Sequence, residues 1–119
     1  MEALEDMAFV RKKRLGGYEY YQLVENRWLE GKPRQRVLLH LGSYPTIEAA
    51  LKQWPKAIER LERFAQSKRE EAERLSKDPA STRARSQAAL QRAQKAQRRA
   101  NTLATNLKKL HDLRDRSVV

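Results

Sequence analysis

The chain has 119 residues and a formal net charge of +11, from 26 Lys and Arg against 15 Asp and Glu. Its length predicts one domain, or one small domain with an appendage. A composition of 39% hydrophobic and 34% charged residues supports a modest core, not a large buried catalytic cavity. Because cysteine is absent, disulfides, thiolate zinc sites and cysteine catalysis are excluded.

The basic residues concentrate in the two outer parts of the chain. Residues 7–45 hold eight basic and three acidic residues, and residues 80–119 hold ten and two. Residues 46–79 are nearly balanced, with eight basic and seven acidic, and no acid lies between Asp78 and Asp112. Such self-repulsion in a small chain indicates a polyanionic partner.

Three runs of residues predict an antiparallel meander. Gly16-Gly17 is a turn pair, and a Gly-Pro segment breaks the pattern after the second run. In the third run, alternation predicts Val37 and Leu39 on one face and Arg34 and Arg36 on the other. The predicted strands are Phe9–Leu15, Tyr18–Trp28 and Arg34–Leu41.

Two amphipathic helices are predicted after the strands. Thr46 is placed to cap the first, whose apolar stripe runs from Ile47 to Leu75. Pro55 predicts a kink in this helix or a restart. After a turn at Lys77–Ser81, a second helix extends from about residue 81 to about residue 114. Its seam is rich in alanine, which allows close approach of a partner helix.

These elements predict an α+β fold: a three-stranded antiparallel sheet packed on a helix, followed by a long antiparallel helical hairpin. We expect residues 1–6 to be a disordered extension, because they are acidic and Met7 is a second plausible start. Residues 7–54 are predicted to form the sheet and helix, a nucleic-acid-binding module. Residues 55–119 are predicted to form the hairpin with its basic second helix.

The outward sheet face is the first candidate binding surface. Arginine forks reach guanine edges or phosphates, and tyrosine hydroxyls reach phosphates. With another register, Lys12 and Arg14 would take the places of Arg11 and Lys13, and a merely solvated face is the plain alternative. The predicted contacts are Arg11, Lys13, Tyr20, Arg34, Arg36 and His40.

The second helix is the other candidate surface, because a basic helix can follow a phosphate backbone. The alternative, an exposed coiled-coil face, normally mixes charge signs, and this helix does not. The predicted contacts are Arg85, Arg92, Lys95, Arg98 and Arg99.

No motif for catalysis or metal binding is present in the sequence. His40 and His111 stand in no metal-ligand spacing, and no serine lies in a nucleophile elbow. The carboxylates of Glu70, Glu71 and Glu73 lie between Lys68-Arg69 and Arg74 on a helix, a pattern typical of intrahelical ion pairs. We therefore expect no enzymatic activity, no metal and no cofactor.

The strands carry a resemblance to a known family. Tyr20-Tyr21-Gln22-Leu23-Val24-Glu25 and Gly31-Lys32-Pro33-Arg34-Gln35-Arg36-Val37-Leu38-Leu39, followed by Leu41-Gly42, resemble the amino-terminal segment of DDE-type insertion-sequence transposases. The likeness covers about residues 7–43 and implies a DNA-binding part that precedes a catalytic domain. Here a helical hairpin follows instead, and Asn26–Leu29 departs from the pattern, so transposition is not implied. The turn into the first helix is also similar to the arm-binding domains of tyrosine recombinases and to plant ethylene-response domains.

Together these features predict a small basic nucleic-acid-binding protein, with duplex DNA favoured and a mobile-element origin possible. RNA or a ribonucleoprotein is the first alternative, because charge does not separate the two. The second is a coiled-coil module that forms a homodimer or binds a protein partner. No apolar run approaches a membrane span, and the start lacks the apolar region of a secretory signal. We expect a cytoplasmic protein, associated with the nucleoid if it binds DNA.

Overall fold

The structure is a computed structural model that describes residues 8–117. Three strands are followed by two helices, which confirms the predicted α+β class. The expectation for residues 1–6 lies outside the described part of the chain. The elements are β1 (Ala8–Leu15), β2 (Tyr18–Leu29), β3 (Lys32–Gly42), α1 (Ile47–Lys77) and α2 (Arg83–Ser117).

The sheet is an antiparallel meander in the order β1-β2-β3. Two residues join each pair of strands, and all four have positive φ, as type I′ hairpin turns require. Gly16 and Gly17 have φ of 54° and 88°, and Glu30 and Gly31 have 54° and 75°. Glu30 is the one described residue other than glycine with positive φ. The second turn is therefore strained where the first is not.

Two irregularities in β3 decide which residues share a face. Leu23 lies opposite Leu39, whereas the next residue, Val24, lies opposite Val37 rather than Leu38. Facing residues of antiparallel strands point to the same side, so Val37 and Leu39 point to opposite sides. The predicted strict alternation is wrong, because each bulge inserts a residue that the period of two does not count.

The chain forms two compact units. The first contains the sheet, the start of α1 and the end of α2, within residues 8–53 and 106–117, and the second spans residues 54–105. The end of α2 thus groups with the sheet, whereas the sequence placed it with the hairpin. The buried apolar residues of the first unit include Leu23, Leu39, Leu41, Ala50 and Leu110. We call the side of the sheet that carries Leu23 and Leu39 the core face, and the other side the open face.

Helix α1 begins at the predicted cap. The Ala49 N–H donates to Thr46 Oγ1 at 3.0 Å, which satisfies one of the free donors of the first turn. The helix continues through Pro55 to Lys77, so the predicted restart is wrong. An internal proline costs about 3 kcal/mol, and burial of the Trp54 side chain beside it offsets part of that cost.

In the second unit, α1 and α2 form the predicted antiparallel hairpin. The Ser86 hydroxyl donates to the Ala72 carbonyl at 3.0 Å, and Arg69 reaches Gln97 further along. Asp78 closes the turn by accepting from the Ala80 N–H at 2.9 Å. The small seam residues are buried within this single chain: Ala65, Ala72, Ala89, Ala93, Ala96 and Ala100.

Candidate nucleic-acid interface

The open face carries four of the six predicted sheet contacts. Arg11 lies opposite Gln22, and Lys13 lies opposite Tyr20, so the register excludes the alternative with Lys12 and Arg14. His40 lies opposite Gln22 and joins the same face. Lys13 and His40 are exposed, and Tyr20 is half-buried.

Arg34 and Arg36 do not join them. Arg36 lies opposite Glu25, and Arg34 lies opposite Arg27, all on the same side of the sheet as Leu23. The prediction of a single face for all six residues is therefore wrong. The two-residue turn places Arg34 and Arg36 on the core face, and the bulge after Val37 brings only His40 to the open face.

Arg11 ties the three strands together on the open face. Its guanidinium donates to Gln22 Oε1 on β2 at 2.8 Å and to Gln35 Oε1 on β3. Gln22 is buried, and its Nε2 lies 3.5 Å from His40 Nδ1. Val24, between Gln22 and Asn26 on β2, is 0% exposed on this otherwise open side. Arg11 is thus a packing residue of the sheet as well as a candidate contact.

At the first hairpin two cations share one carboxylate. Lys12 Nζ lies 3.6 Å from Glu19 Oε2, and Arg14 Nη2 lies 2.9 Å from Glu19 Oε1. The hydrogen bond from Arg14, followed by the charge of Lys12, holds the pKa of the Glu19 carboxyl below its usual value. All three residues lie on the core face, so both cations there are in ion pairs.

At the second hairpin the cations gather. Arg27, Arg34 and Arg36 line a cleft of about 560 Å3 together with Glu30 and Gln35. Arg27 is not among the contacts predicted from the sequence, although pairing the two strands across the Glu30-Gly31 turn places it opposite Arg34.

This arrangement costs stability. Arg27 and Arg34 are a directly opposed pair of like charges, which is destabilising in an antiparallel sheet. Glu25 Oε1 lies 3.3 Å from Arg27 Nε. Among the described residues, neither Arg34 nor Arg36 forms an ion pair. Two of the three guanidinium groups of the cleft are therefore outside any such ion pair, and the Glu30 carboxyl lines the same cleft.

Three predicted contacts on α2 share one groove of the hairpin. Arg92, Lys95 and Arg99 line a groove of about 190 Å3, whose other residues are Leu61, Phe64 and Ala96. Phe64 is 46% exposed there. Lys68 Nζ lies 5.6 Å from the centre of the Phe64 ring. A shallow groove of this kind combines apolar contact with positive charge.

The two remaining contacts lie elsewhere on α2. Arg85 is in the first turn, where its N–H donates to Thr82 Oγ1 at 3.4 Å. Arg98 is exposed and does not line the groove. It lies about 120° around the helix from Arg92, away from the buried alanines. The five contacts thus form one cluster of three residues and two separate positions.

Glu71 on α1 moderates the charge at the edge of this groove. The hydrogen bond and charge of Lys68 lower the pKa of the Glu71 carboxyl, with smaller contributions from Arg74 and Arg92. Lys68 Nζ lies 2.8 Å from Glu71 Oε2. Arg92 is therefore partly balanced across the hairpin.

Residues 8–117 contain neither a candidate membrane-spanning helix nor a metal-binding cluster. No helix there is long and apolar enough to cross a bilayer. No three of the His, Asp and Glu side chains in that range are placed to hold a metal ion together.

A three-stranded sheet joined to a basic helical hairpin, with cations gathered at one strand end and in one helix groove, defines a small basic α+β module of the polyanion-binding type. The family comparison agrees with this class. The model of the IS1634 family transposase N-terminal domain matches residues 8–106, and the chain belongs to that family. It is therefore derived from a mobile element.

The extent of the match corrects one expectation. The sequence resemblance covers about residues 7–43 and treats the hairpin as a departure from the family. The match reaches residue 106, so most of the hairpin is part of the family domain. Neither the curated proteins nor the solved structures contain a significant match to the chain.

Proposed function

We propose that this chain is the DNA-binding segment of a transposase and that it binds duplex DNA. One observation carries the proposal. Among residues 8–117, none of the nine Lys and Arg side chains predicted as contacts forms an ion pair, whereas Lys12 and Arg14 beside them are both paired. Cations left without carboxylates are available to phosphates, and the transposase family favours DNA as their source.

In this proposal, two surfaces of the chain contact the duplex. Lys13, Tyr20 and His40 on the open face contact the duplex, with Arg11 held in place beside them. Arg92, Lys95 and Arg99 in the hairpin groove bind backbone phosphates, and Arg85 and Arg98 add charge without a shared site. Phosphate contacts supply affinity, and contacts from the sheet to base edges supply sequence preference.

The coiled-coil alternative loses its main support. The alanine seam that suggested a dimer is buried between α1 and α2 of one chain. A second copy could use that seam only by opening the hairpin. RNA remains the competing partner, because the argument from unpaired cations applies equally to its phosphates.

Fluorescence anisotropy with a labelled duplex, measured between about 50 and 200 mM salt, tests the proposal. We expect log K to fall linearly and steeply with log salt. Replacing Arg92 and Arg99 with Gln should weaken binding, and the control pair Arg63→Gln and Lys77→Gln, which removes equal charge from ion-paired exposed sites, should change it little. Absence of binding, or binding insensitive to salt, would refute the proposal. Preferential displacement by structured RNA would assign the surface to RNA.

We also propose that residues 8–117 bind DNA without catalysing its cleavage. The support is the lack of any catalytic motif in the sequence. Incubation of the purified chain with labelled duplex and Mg²⁺ should leave the strands intact, and protein-dependent nicking would contradict this.

A further inference from the structure

Within residues 8–117, the end of the β2–β3 hairpin is a two-stranded ribbon. In that range, β1 pairs with β2 from Tyr18 to Glu25. The next part of β2, Asn26–Leu29, pairs there with Lys32–Gln35 of β3 alone. We call residues 26–35 the ribbon end.

A two-stranded ribbon has the dimensions of a DNA groove. Its strands are about 4.8 Å apart, and the major groove, about 12 Å wide, admits such a ribbon with its side chains. A ribbon inside the groove has a wall on each side, so both of its faces can reach DNA. A flat sheet face laid on the duplex would leave the opposite face in solvent.

Each face of the ribbon end carries side chains that can contact the walls of a DNA groove. Arg27, Arg34 and the adjoining Arg36 line the cleft on one side. On the other side, Trp28 is 53% exposed opposite Pro33 and next to Asn26. Gln35, which accepts from Arg11, also lines the cleft. An exposed tryptophan beside an amide side chain is costly in water and provides apolar contact and hydrogen bonds to a partner.

The like-charge pair argues that the cleft has a ligand. The facing pair of Arg27 and Arg34 is less stable than a pair with a carboxylate at either position would be. Guanidinium groups match the oxygens of a phosphate in a bidentate manner, and three of them surround one cleft.

We propose that the ribbon end enters the major groove of duplex DNA and that Arg27, Arg34 and Arg36 bind a backbone phosphate at its edge. This rests on the proposed function, of which it names the principal site. It also gives a role to Arg27, and it explains how Arg34 and Arg36 reach DNA although they lie opposite the other predicted sheet contacts.

The test compares Arg34→Gln and Arg36→Gln with Lys32→Gln in the full chain. Lys32 lies in the same ribbon end and carries the same charge, but it does not line the cleft. Anisotropy with labelled duplex at several salt concentrations gives the affinity and the salt slope, and thermal unfolding reports the fold.

We expect each arginine variant to weaken binding about tenfold and to reduce the salt slope by about one. Lys32→Gln should reduce both the DNA affinity and the salt slope less than either arginine variant does. Arg34→Gln should unfold at the same temperature as the parent chain or higher, because it removes the repulsion from Arg27 without breaking an ion pair.

The outcomes separate this inference from the proposed function. If the parent chain binds DNA with a steep salt slope and the arginine variants match Lys32→Gln, the inference is wrong and the function stands. If the parent chain does not bind DNA, the proposed function itself fails. A variant with lower affinity and a markedly lower unfolding temperature would also count against the site, because a structural role would then explain the loss.

Discussion

The two hairpins of the sheet have the same kind of turn and differ in how their cations are paired. Both close with two residues of positive φ. At the first, Glu19 lies between Lys12 and Arg14 and pairs with both. At the second, Arg27 faces Arg34, and the turn places a glutamate where glycine or asparagine is preferred.

The difference shows which hairpin is optimised for folding. In the first hairpin, charged side chains form ion pairs within the sheet, and two glycines form an unstrained turn. The second retains repulsion and strain, which persist where the surrounding structure can support them and which tend to cluster at functional sites. The same sheet thus contains a structural end and a candidate binding end.

The largest effect is expected from Arg34→Glu. It removes one phosphate contact and adds a repulsive charge, so DNA affinity should fall about a hundredfold. The new cross-strand pair with Arg27 should raise the free energy of unfolding by about 0.5 kcal/mol. Lys12→Glu makes an equal change of charge at the first hairpin and serves as the control in anisotropy and urea unfolding. Equal losses of affinity from the two variants would remove the distinction between the hairpins.

A smaller effect is expected from Glu30→Asn. An Asn-Gly pair suits a type I′ turn, so relief of the left-handed glutamate should stabilise the chain by about 0.5–1 kcal/mol. The reciprocal change, Gly17→Ala at φ 88°, should destabilise it by about 1–2 kcal/mol. Urea unfolding measures both. Since Glu30 also lines the arginine cleft, its removal should increase DNA affinity, and a decrease would contradict the phosphate site.

The smallest effect is expected on the loss of folding stability at acidic pH. Arg14 and Lys12 lower the pKa of Glu19 in the folded chain. The ion pairs of Glu19 therefore stabilise the fold at pH values above the usual carboxyl pKa. This stabilisation is lost as the pH falls through the lowered pKa of the folded chain. Unfolding of the parent chain and of Glu19→Gln, measured at neutral pH and near pH 3, should show a larger acid sensitivity in the parent. An equal sensitivity would mean that the solvent screens these pairs completely.

Much of the fold could be predicted from the sequence because its signals are local. Turn glycines, the Thr46 cap and the alanine seam each act within a few residues, and each predicted element is present. The face of His40 could not be predicted, because a bulge shifts its β2 partner from Tyr21 to Gln22 without a sequence signal of its own. Arg34 and Arg36 lie where the two-residue turn places them. For Pro55 the sequence leaves a kink or a restart open, and the helix continues through this residue next to the buried Trp54.

The candidate site also contains residues that the sequence predicts and residues that it does not. Simple alternation across a tight turn places Lys13 and Tyr20 together, and helical spacing places Arg92, Lys95 and Arg99 together. His40 joins Lys13 and Tyr20 only through the bulge in β3. Arg27 was missed because it precedes a turn and stands alone among apolar and polar residues in the sequence. Only the pairing of the two strands brings it opposite Arg34.

Arg11 makes the open face preorganised. Its guanidinium is already oriented by Gln22 and Gln35 before any partner arrives, so the rotamer freedom that a long side chain usually loses on binding, on the order of 2 kcal/mol, is already restricted in the free protein. Lysine at this position would keep the charge but could not match the planar fork that spans the three strands. A count of positive charges treats the two residues as equal, and on this face they are not.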